Sequence, residues 1–288
     1  MDIRFLESLI CVVDSGSIAE TARIQSITAA AVSQRIQSLE QQLDCSLLNR
    51  AGHKVKPTES CMNLLSRARR IVSDTHSLSA DIDSSGLSGV FRIGAISTVL
   101  TSMIPNALKQ LGKYAPNAKW NISPGTSSAL YKEMQNERLD AAIIVKPPFP
   151  IPKNLTFKQL RTEKLVLISS EPITGSIFDE LKERPYIRYD PTSWGGRIAE
   201  KFVTNNNIVK TSICDLDGLE TISLLVSQNL GVSLVPDWSG FGCGSKREKP
   251  ELFYKFVDDD NYDRELVLLY PSYPNRPKII DKFITLVS

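Results

Sequence analysis

Two stretches of this chain carry side chains whose type and spacing could do chemistry. In the first, Ser17, Ile18, Thr28, Ala29, Ala30, Ser33, Gln34, Arg35 and Gln37 fall on two short segments separated by a turn. Ser, Thr, Gln and Arg supply the donors and acceptors that phosphate oxygens and base edges require, and small Ala residues let a helix approach a groove closely. In the second, Ser97, Thr98, Thr126, Ser127, Arg188, Tyr189, Ser193 and Trp194 stand where strand-like runs end and helix-like runs begin. Hydroxyls and free amides at a helix start favour an anion such as a carboxylate. An Arg beside aromatic rings can clamp a planar or carboxylated ligand. Helix capping is the plainer reading of each Ser or Thr taken singly. Catalysis is poorly provided for. Both histidines, His53 and His76, precede the Ser/Gly stretch at 84–89, so the part beyond it has no His for a Ser-His-Asp triad or a His-bearing metal site. There is also no P-loop and no G-x-G-x-x-G after a strand. An enzyme is disfavoured, and no cofactor or metal is expected.

The elements that must position the first group are helical. Leu6, Leu9, Ile10 and Val13 recur at helical spacing over 3–13, and Asp14-Ser15-Gly16 ends that run. Ser17 with Glu20 three residues on is a capping-box pattern for a helix at 18–24, expected to bury Ile18, Ala22 and Ile24. After the turn at 25–28, Thr28 caps a helix at 29–42 whose inner stripe is Val32, Ile36, Leu39 and Leu43. Two short helices joined by a tight turn, the second exposing small and polar residues, form a helix-turn-helix pattern. A hairpin at 47–57 follows, with Arg50, His53, Lys54 and Lys56 around a Gly turn, suited to phosphate contact. A small helical bundle with a solvated hairpin is the rival reading of these residues. From Thr58 to Ser85 the chain runs without Gly or Pro, and Leu64, Leu65, Ala68, Ile71, Val72, Thr75, Leu78 and Ile82 form a stripe that a second subunit could cover.

Beyond the hinge at 84–89, strand-like and helix-like stretches alternate, which predicts an α/β architecture. Strands are expected near 90–96, 119–123, 141–145, 164–168, 185–189, 213–216, 231–236 and 265–270. Helices are expected at 103–114, 126–137, 194–206, 217–228 and 276–287. The all-apolar run at 141–145 is that of a buried parallel strand. Two lobes crossed twice by the chain would leave a ligand cleft at the strand C-termini.

Bulk numbers exclude little but set limits. With 42% hydrophobic and 23% charged residues in 288, the chain is a folded protein, not a disordered one. Its net charge of +2 carries no nucleic-acid signature, and its first 60 residues hold six Lys/Arg against seven Asp/Glu. DNA binding must therefore rest on arrangement. No run approaches the roughly 18 apolar residues of a membrane span, and the amphipathic start MDIRFLESLI is unlike a signal peptide, so a cytoplasmic protein with no membrane partner is expected. Cys11, Cys45, Cys61, Cys214 and Cys243 are scattered, the pattern of isolated thiols. A redox pair of Cys214 and Cys243 is the alternative.

Residues 6–61 resemble the DNA-binding domain of the LysR family of bacterial transcription regulators. The resemblance is carried by Gly16-Ser17, Ala22, Ala31-Val32-Ser33, Ile36, Leu39-Glu40, Leu43, Leu47-Leu48, Arg50, Val55 and Pro57-Thr58-Glu59. Departures are Asp44 where the family usually has Gly, Ser60-Cys61 where it has Ala-Gly, and Ala29 and Gln34 where many members carry Gln and Arg. More loosely, Phe91-Arg92-Ile93-Gly94, Leu139-Asp140-Ala141-Ala142-Ile143 and Leu230-Gly231-Val232-Ser233-Leu234-Val235-Pro236 look like the family's effector-domain signatures. The resemblance implies an all-α winged helix-turn-helix at 1–58 and a dimerising linker helix with hinge at 59–88. It implies an α/β, two-lobed, periplasmic-binding-protein-like effector domain at 89–288, with lobe I near 89–163 and 265–288 and lobe II near 164–264. Residues 18–37 would contact double-stranded promoter DNA, with Arg50, His53 and Lys54 on phosphates. A small-molecule effector would sit between the lobes and reshape a tetramer and the bend of the DNA. RNA polymerase is a further candidate partner. A transport-type solute-binding protein would account for 89–288 but not for the helices before it.

Overall fold

The structure is a computed structural model that describes residues 1–51, 54–81, 85–209, 211–238 and 252–288, with the backbone only at 50, 51, 54, 73, 76, 77 and 79–81. The chain divides into two compact units, Met1–Ile82 and Asp83–Ser288.

In the first unit, local capping sets the helix ends. Helix α1 (Ile3–Ser15) starts where the Asp2 carboxylate accepts from the Arg4 amide and stops at Gly16, whose φ of 66° is the left-handed conformation that glycine adopts without cost. Ser17 Oγ accepts from the Glu20 amide to open α2 (Ile18–Ile24). The Glu20 carboxylate pairs with Arg23, so only half of the expected capping box forms. Thr28 Oγ1 accepts from the Ala31 amide at 3.1 Å to open α3 (Ala29–Leu43). Strands β1 (Leu48–Ala51) and β2 (Lys54–Pro57) then pair antiparallel, with Arg50 opposite Val55 and Ala51 opposite Lys54. Thr58 Oγ1 caps α4 (Glu59–Asp81) by accepting from the Cys61 amide. At 1.5 Å per residue, α4 is about 35 Å long.

Leu6, Leu9, Val12, Ala22, Val32, Ile36, Leu39, Leu47, Cys61 and Ala68 make this unit's core. Two expected core residues lie outside it: Ile24 is 61% exposed and Leu43 is 37% exposed. Each is the last residue of its helix, where the chain turns away and leaves the stripe without a facing partner. Along α4, Cys61, Leu64, Ala68 and Val72 join the core, whereas Met62, Ile71 and Leu78 are exposed.

The second unit is α/β. In chain order it comprises β3 (Gly89–Ala95), α5 (Ser97–Ser102), α6 (Ile104–Tyr114), β4 (Ala118–Pro124), α7 (Ser127–Gln135), β5 (Ala141–Val145), β6 (Leu155–Glu163), β7 (Leu165–Ser169), α8 (Ile177–Glu183), β8 (Tyr186–Tyr189), α9 (Gly196–Asn205), β9 (Ser212–Leu216), α10 (Leu219–Ser227), β10 (Ser233–Pro236), β11 (Phe253–Phe256), β12 (Arg264–Pro271) and α11 (Pro277–Val287). Lobe I is built on a five-stranded sheet of order β4-β3-β5-β12-β6. Strands β3, β4 and β5 are parallel, but β12 runs antiparallel to β5 and β6, so the sheet is mixed rather than parallel throughout. In lobe II, β7 pairs antiparallel with β10 and β11, while β8 and β9 pair in parallel and touch β10's start through a Tyr186–Val232 bridge. The chain leaves lobe I at Glu163 and re-enters it at Arg264, and these two residues stand opposite each other in the β6–β12 register.

Sequence reading passed over β6, α5, α8 and β11. Strand β6 is mostly exposed and lacks the apolar pattern that marks a strand, whereas β11, Phe-Tyr-Lys-Phe, is a strand-prone aromatic run that sequence reading left unused and is wholly exposed. Helices α5 and α8 are six and seven residues long, less than two turns of pattern.

Candidate functional site

Two sites arise, one in each unit. In the first, α2, the turn and α3 hold a helix-turn-helix. Thr28, Ala29, Ala30, Gln34 and Gln37 are exposed, and Ser33 is half-buried. The exposed face of α3 is thus uncharged, with two small residues at its N-terminal end, where a helix enters a groove. Ile18 is half-buried against the core and Ser17 is engaged as a cap. Arg35 points elsewhere: its Nη1 donates to Ser8 Oγ at 3.2 Å and to Gln25 Oε1 at 3.4 Å. That network fastens α3 to α1 and to the turn. Arg50 and Lys54 lie on the backbone of the hairpin, and His53 lies outside the described residues. The hairpin is held in place from two sides. The Val55 amide donates to the Gly16 carbonyl, and Glu40 Oε1 accepts from the Leu47 amide at 2.7 Å and the Leu48 amide at 3.2 Å. Sequence reading noted Glu40 only as part of a motif; its carboxylate takes up the backbone amides at the entry to β1. Asp44, the departure from glycine, has φ 49° and ψ 41°. The turn therefore still needs the left-handed conformation, which Asp tolerates better than most residues.

The second site is a cavity of about 370 Å³ between the lobes of the α/β unit. Ser97, Thr98, Thr126 and Ser127 line it from lobe I, and Tyr189, Ser193 and Trp194 from lobe II. Their hydroxyls differ in availability. Ser127 Oγ is taken up by the Val145 amide at 3.1 Å, and Ser193 Oγ donates to the Asp190 carbonyl while accepting from the Gly196 amide. Thr126 Oγ1 caps α7 through the Ala129 amide and is exposed, as is Ser97. Three helices of nine or ten residues, α7, α9 and α10, begin at the cavity wall; the first amide of α9 is taken by Ser193 Oγ, whereas α10 has no side-chain cap at its start. Uncapped amides and the positive end of the helix dipole favour a negative group there.

Arg188 is not brought to this cavity. It forms a two-point ion pair with Glu200, with contacts of 2.9 and 2.7 Å, and lines a separate hollow with Tyr186, Thr204 and Asn207. Successive strand residues face opposite sides, so Tyr189 on the cavity side puts Arg188 on the other. The cation that does line the cavity is Arg264, which sequence reasoning missed. A faint signal existed: Asp263-Arg264-Glu265 opens an otherwise apolar run, an unusual place for a buried Arg.

Aromatic rings close one flank. Trp194 lies 5.8 Å from Tyr131 and 5.5 Å from Phe149, and it packs with lobe I's hydrophobic cluster although it belongs to lobe II. Two glycines follow it. A Cβ on Gly195 would lie 2.3 Å from Tyr189 Oη, and one on Gly196 would lie 1.9 Å from the Asp190 carbonyl oxygen. The Trp-Gly-Gly sequence therefore lets α9 start against the wall of the cavity. Burial pushes the Tyr189 hydroxyl's pKa above its ordinary value, with the Arg264 guanidinium acting in the opposite sense.

Cys11, Cys45, Cys61 and Cys214 are free thiols. Cys61 is buried, and that burial pushes its pKa up. The alternative pair of Cys214 with Cys243 lies outside the described residues at its second member. Among the described residues no helix is long and apolar enough to cross a membrane.

Comparison with known proteins agrees with this division. A family model for bacterial regulatory helix-turn-helix proteins of the lysR family matches residues 3–62, and a model of the LysR substrate binding domain matches residues 84–287. The HTH-type transcriptional regulator CzcR of Bacillus cereus is 27% identical over 239 residues, spanning 82% of this chain and 80% of that protein. The nitrogen assimilation regulatory protein nac of Escherichia coli (strain K12) is 24% identical over 243 residues, spanning 82% and 79%. Among solved structures, full-length CbnR in complex with its target DNA superposes with a TM-score of 0.74 at 16% identity, covering 100% of this chain and 99% of that one. A full-length OxyR variant from Pseudomonas aeruginosa gives 0.69 at 17% identity, covering 100% and 94%. At these identities the structural likeness shows the fold.

Proposed function

The chain belongs to the LysR family of bacterial helix-turn-helix regulators, and from that premise we propose how it works. It is a DNA-binding transcriptional regulator with an effector-binding domain. In our reading residues 1–58 read promoter DNA, with Ser17, Ile18, Thr28, Ala29, Ala30, Ser33, Gln34 and Gln37 at or near the groove. Arg50, His53 and Lys54 hold phosphates, and Arg35 serves the scaffold that aims α3. Residues 59–88 join two protomers: Ile71 and Leu78, seven residues apart and both exposed on one face of α4, supply apolar surface for a second copy. Dimers pair into a tetramer in the bacterial cytoplasm, and the assembly meets RNA polymerase at the promoter.

Residues 89–288 sense a small organic acid with a planar or aromatic body. One observation carries this assignment. The exposed hydroxyls of Ser97 and Thr126 and the starts of α7, α9 and α10 converge on one cavity walled by Tyr189 and Trp194. The amides and hydroxyls suit a carboxylate, and the rings suit a flat apolar body. A thermal-shift screen of small organic acids and aromatics on the full chain tests it. A stabilising compound whose effect is lost in Thr98→Ala or Thr126→Ala supports the site; compounds that stabilise both variants as well as the parent reject these residues. Capture of one or a few promoters from fragmented genomic DNA tests the regulator itself.

A further inference from the structure

Glu163 ends one strand between the lobes and Arg264 begins the other. Both are almost wholly buried, at 3% and 2% exposure. Arg264 Nε donates to Glu163 Oε2 at 2.7 Å, and Nη2 reaches the same oxygen at 2.5 Å. The rest of the guanidinium faces the cavity. Nη2 also lies 3.4 Å from Thr98 Oγ1 of lobe I, and Nη1 lies 3.5 Å from Tyr189 Oη of lobe II. Arg has five N–H donors in a fixed fork. Glu163 takes two of them, and of the other three, two make long contacts to neutral hydroxyls. A buried cation with unspent donors, aimed into a cavity, is poorly satisfied until an acceptor arrives.

We infer that Arg264 reads the effector's charge: it binds the carboxylate of a monoanionic ligand at the point where the chain passes between the lobes. The inference rests on the reading of this cavity as the effector site and names the class of ligand it takes. Pairing with Glu163 holds the fork in place beforehand, so little side-chain freedom is lost on binding. The pair is neutral overall, and an arriving anion leaves one uncompensated negative charge. The uncapped start of α10 and the Thr126 hydroxyl stand on the same cavity to offset it. A second negative charge has no such support, because Asp217 lines the cavity as well. This selects monocarboxylates over dicarboxylates and phosphate esters. Thr98 and Tyr189 belong to different lobes and flank the same guanidinium, so a carboxylate seated there draws both lobes onto one ligand and favours their closed arrangement.

The test uses the full chain with acetate and benzoate as probes and acetamide and benzamide as their neutral counterparts, followed by tryptophan emission and thermal shift. Both acids are expected to bind at least about tenfold tighter than their amides. The neutral double variant Glu163→Gln with Arg264→Met should lose that preference while still binding DNA. Glu163→Gln alone should tighten acid binding severalfold, because the competing carboxylate is gone; a purely structural Arg264 would give weaker binding or none. Should the double variant fail to fold, Glu163→Gln alone decides, and unchanged or weaker acid binding overturns the inference. Amides that bind as well as acids, with binding lost in Thr98→Ala, overturn the role of Arg264 and leave the cavity as the effector site. Binding of neither class overturns both.

Discussion

Under the proposed function, the helix-turn-helix and the cavity between the lobes solve opposite problems with charge. On α3 the exposed face is neutral, and the cations Arg50 and Lys54 are set apart on a hairpin. In the cavity, a cation is buried at its base and already paired. A neutral face in a groove discriminates by hydrogen bonds and shape, and leaves general attraction to phosphate contacts elsewhere. A buried, paired cation does the reverse: it discriminates by charge, because water no longer screens it. In the proposed reading, one protein thus separates specificity from charge in one unit and combines them in the other.

Several substitutions would break or sharpen that contrast. The largest effect is expected from Gly196→Ala, whose Cβ would collide with the Asp190 backbone. It should cost the α/β unit about 3 kcal/mol, by overpacking where the backbone cannot yield. The three tryptophans, Trp120, Trp194 and Trp238, all lie in that unit, so urea unfolding followed by their emission isolates the loss, while DNA binding should persist. On the DNA side, Gln34→Ala should lower discrimination between the operator and a single-base variant by about 1–3 kcal/mol. Arg50→Ala should weaken binding to all sequences alike and reduce the salt slope by about one. If Gln34→Ala changed the salt slope and Arg50→Ala did not, the separation of readers from anchors would be wrong. A smaller change follows from Thr28→Ala, which removes the cap of α3 and should lower the first unit's stability by about 1 kcal/mol, seen as an earlier loss of helical circular dichroism on heating. Smallest is Asp44→Gly: relief of a left-handed backbone and the greater freedom of glycine when unfolded oppose each other, so stability should change by less than about 1 kcal/mol.

The same contrast explains what could be read from sequence. In the first unit, α1 to α4 follow one another closely, and each start is set by a residue next to it: Asp2, Ser17, Thr28 and Thr58. Periodicity and capping are local, so they are legible. Arg35 was harder, because its partners Ser8 and Gln25 lie 27 and 10 residues away. In the α/β unit, the alternation of strands and helices was plain, and so were the small polar residues that end the strands. Which side Arg188 faces depends on the phase of a four-residue strand, which a short sequence window does not determine. Arg264 is 101 residues from Glu163 and 166 from Thr98, and no window joins them. The direction of β12 was equally hidden, because it follows from how the chain comes back from lobe II.

That return has a consequence for synthesis. The sheet of lobe I lacks its fourth member in spatial order until β12 is made, although β3, β4 and β5 were made long before; the Lys146–Glu265 pair beside that join spans 119 residues. A nascent chain can fold its helix-turn-helix early from local contacts alone. It must then hold the apolar edge of β5 open while the whole of lobe II leaves the ribosome. The DNA-reading unit is therefore available before the unit that controls it, and the interval between them is when the exposed strand edge most invites mispairing.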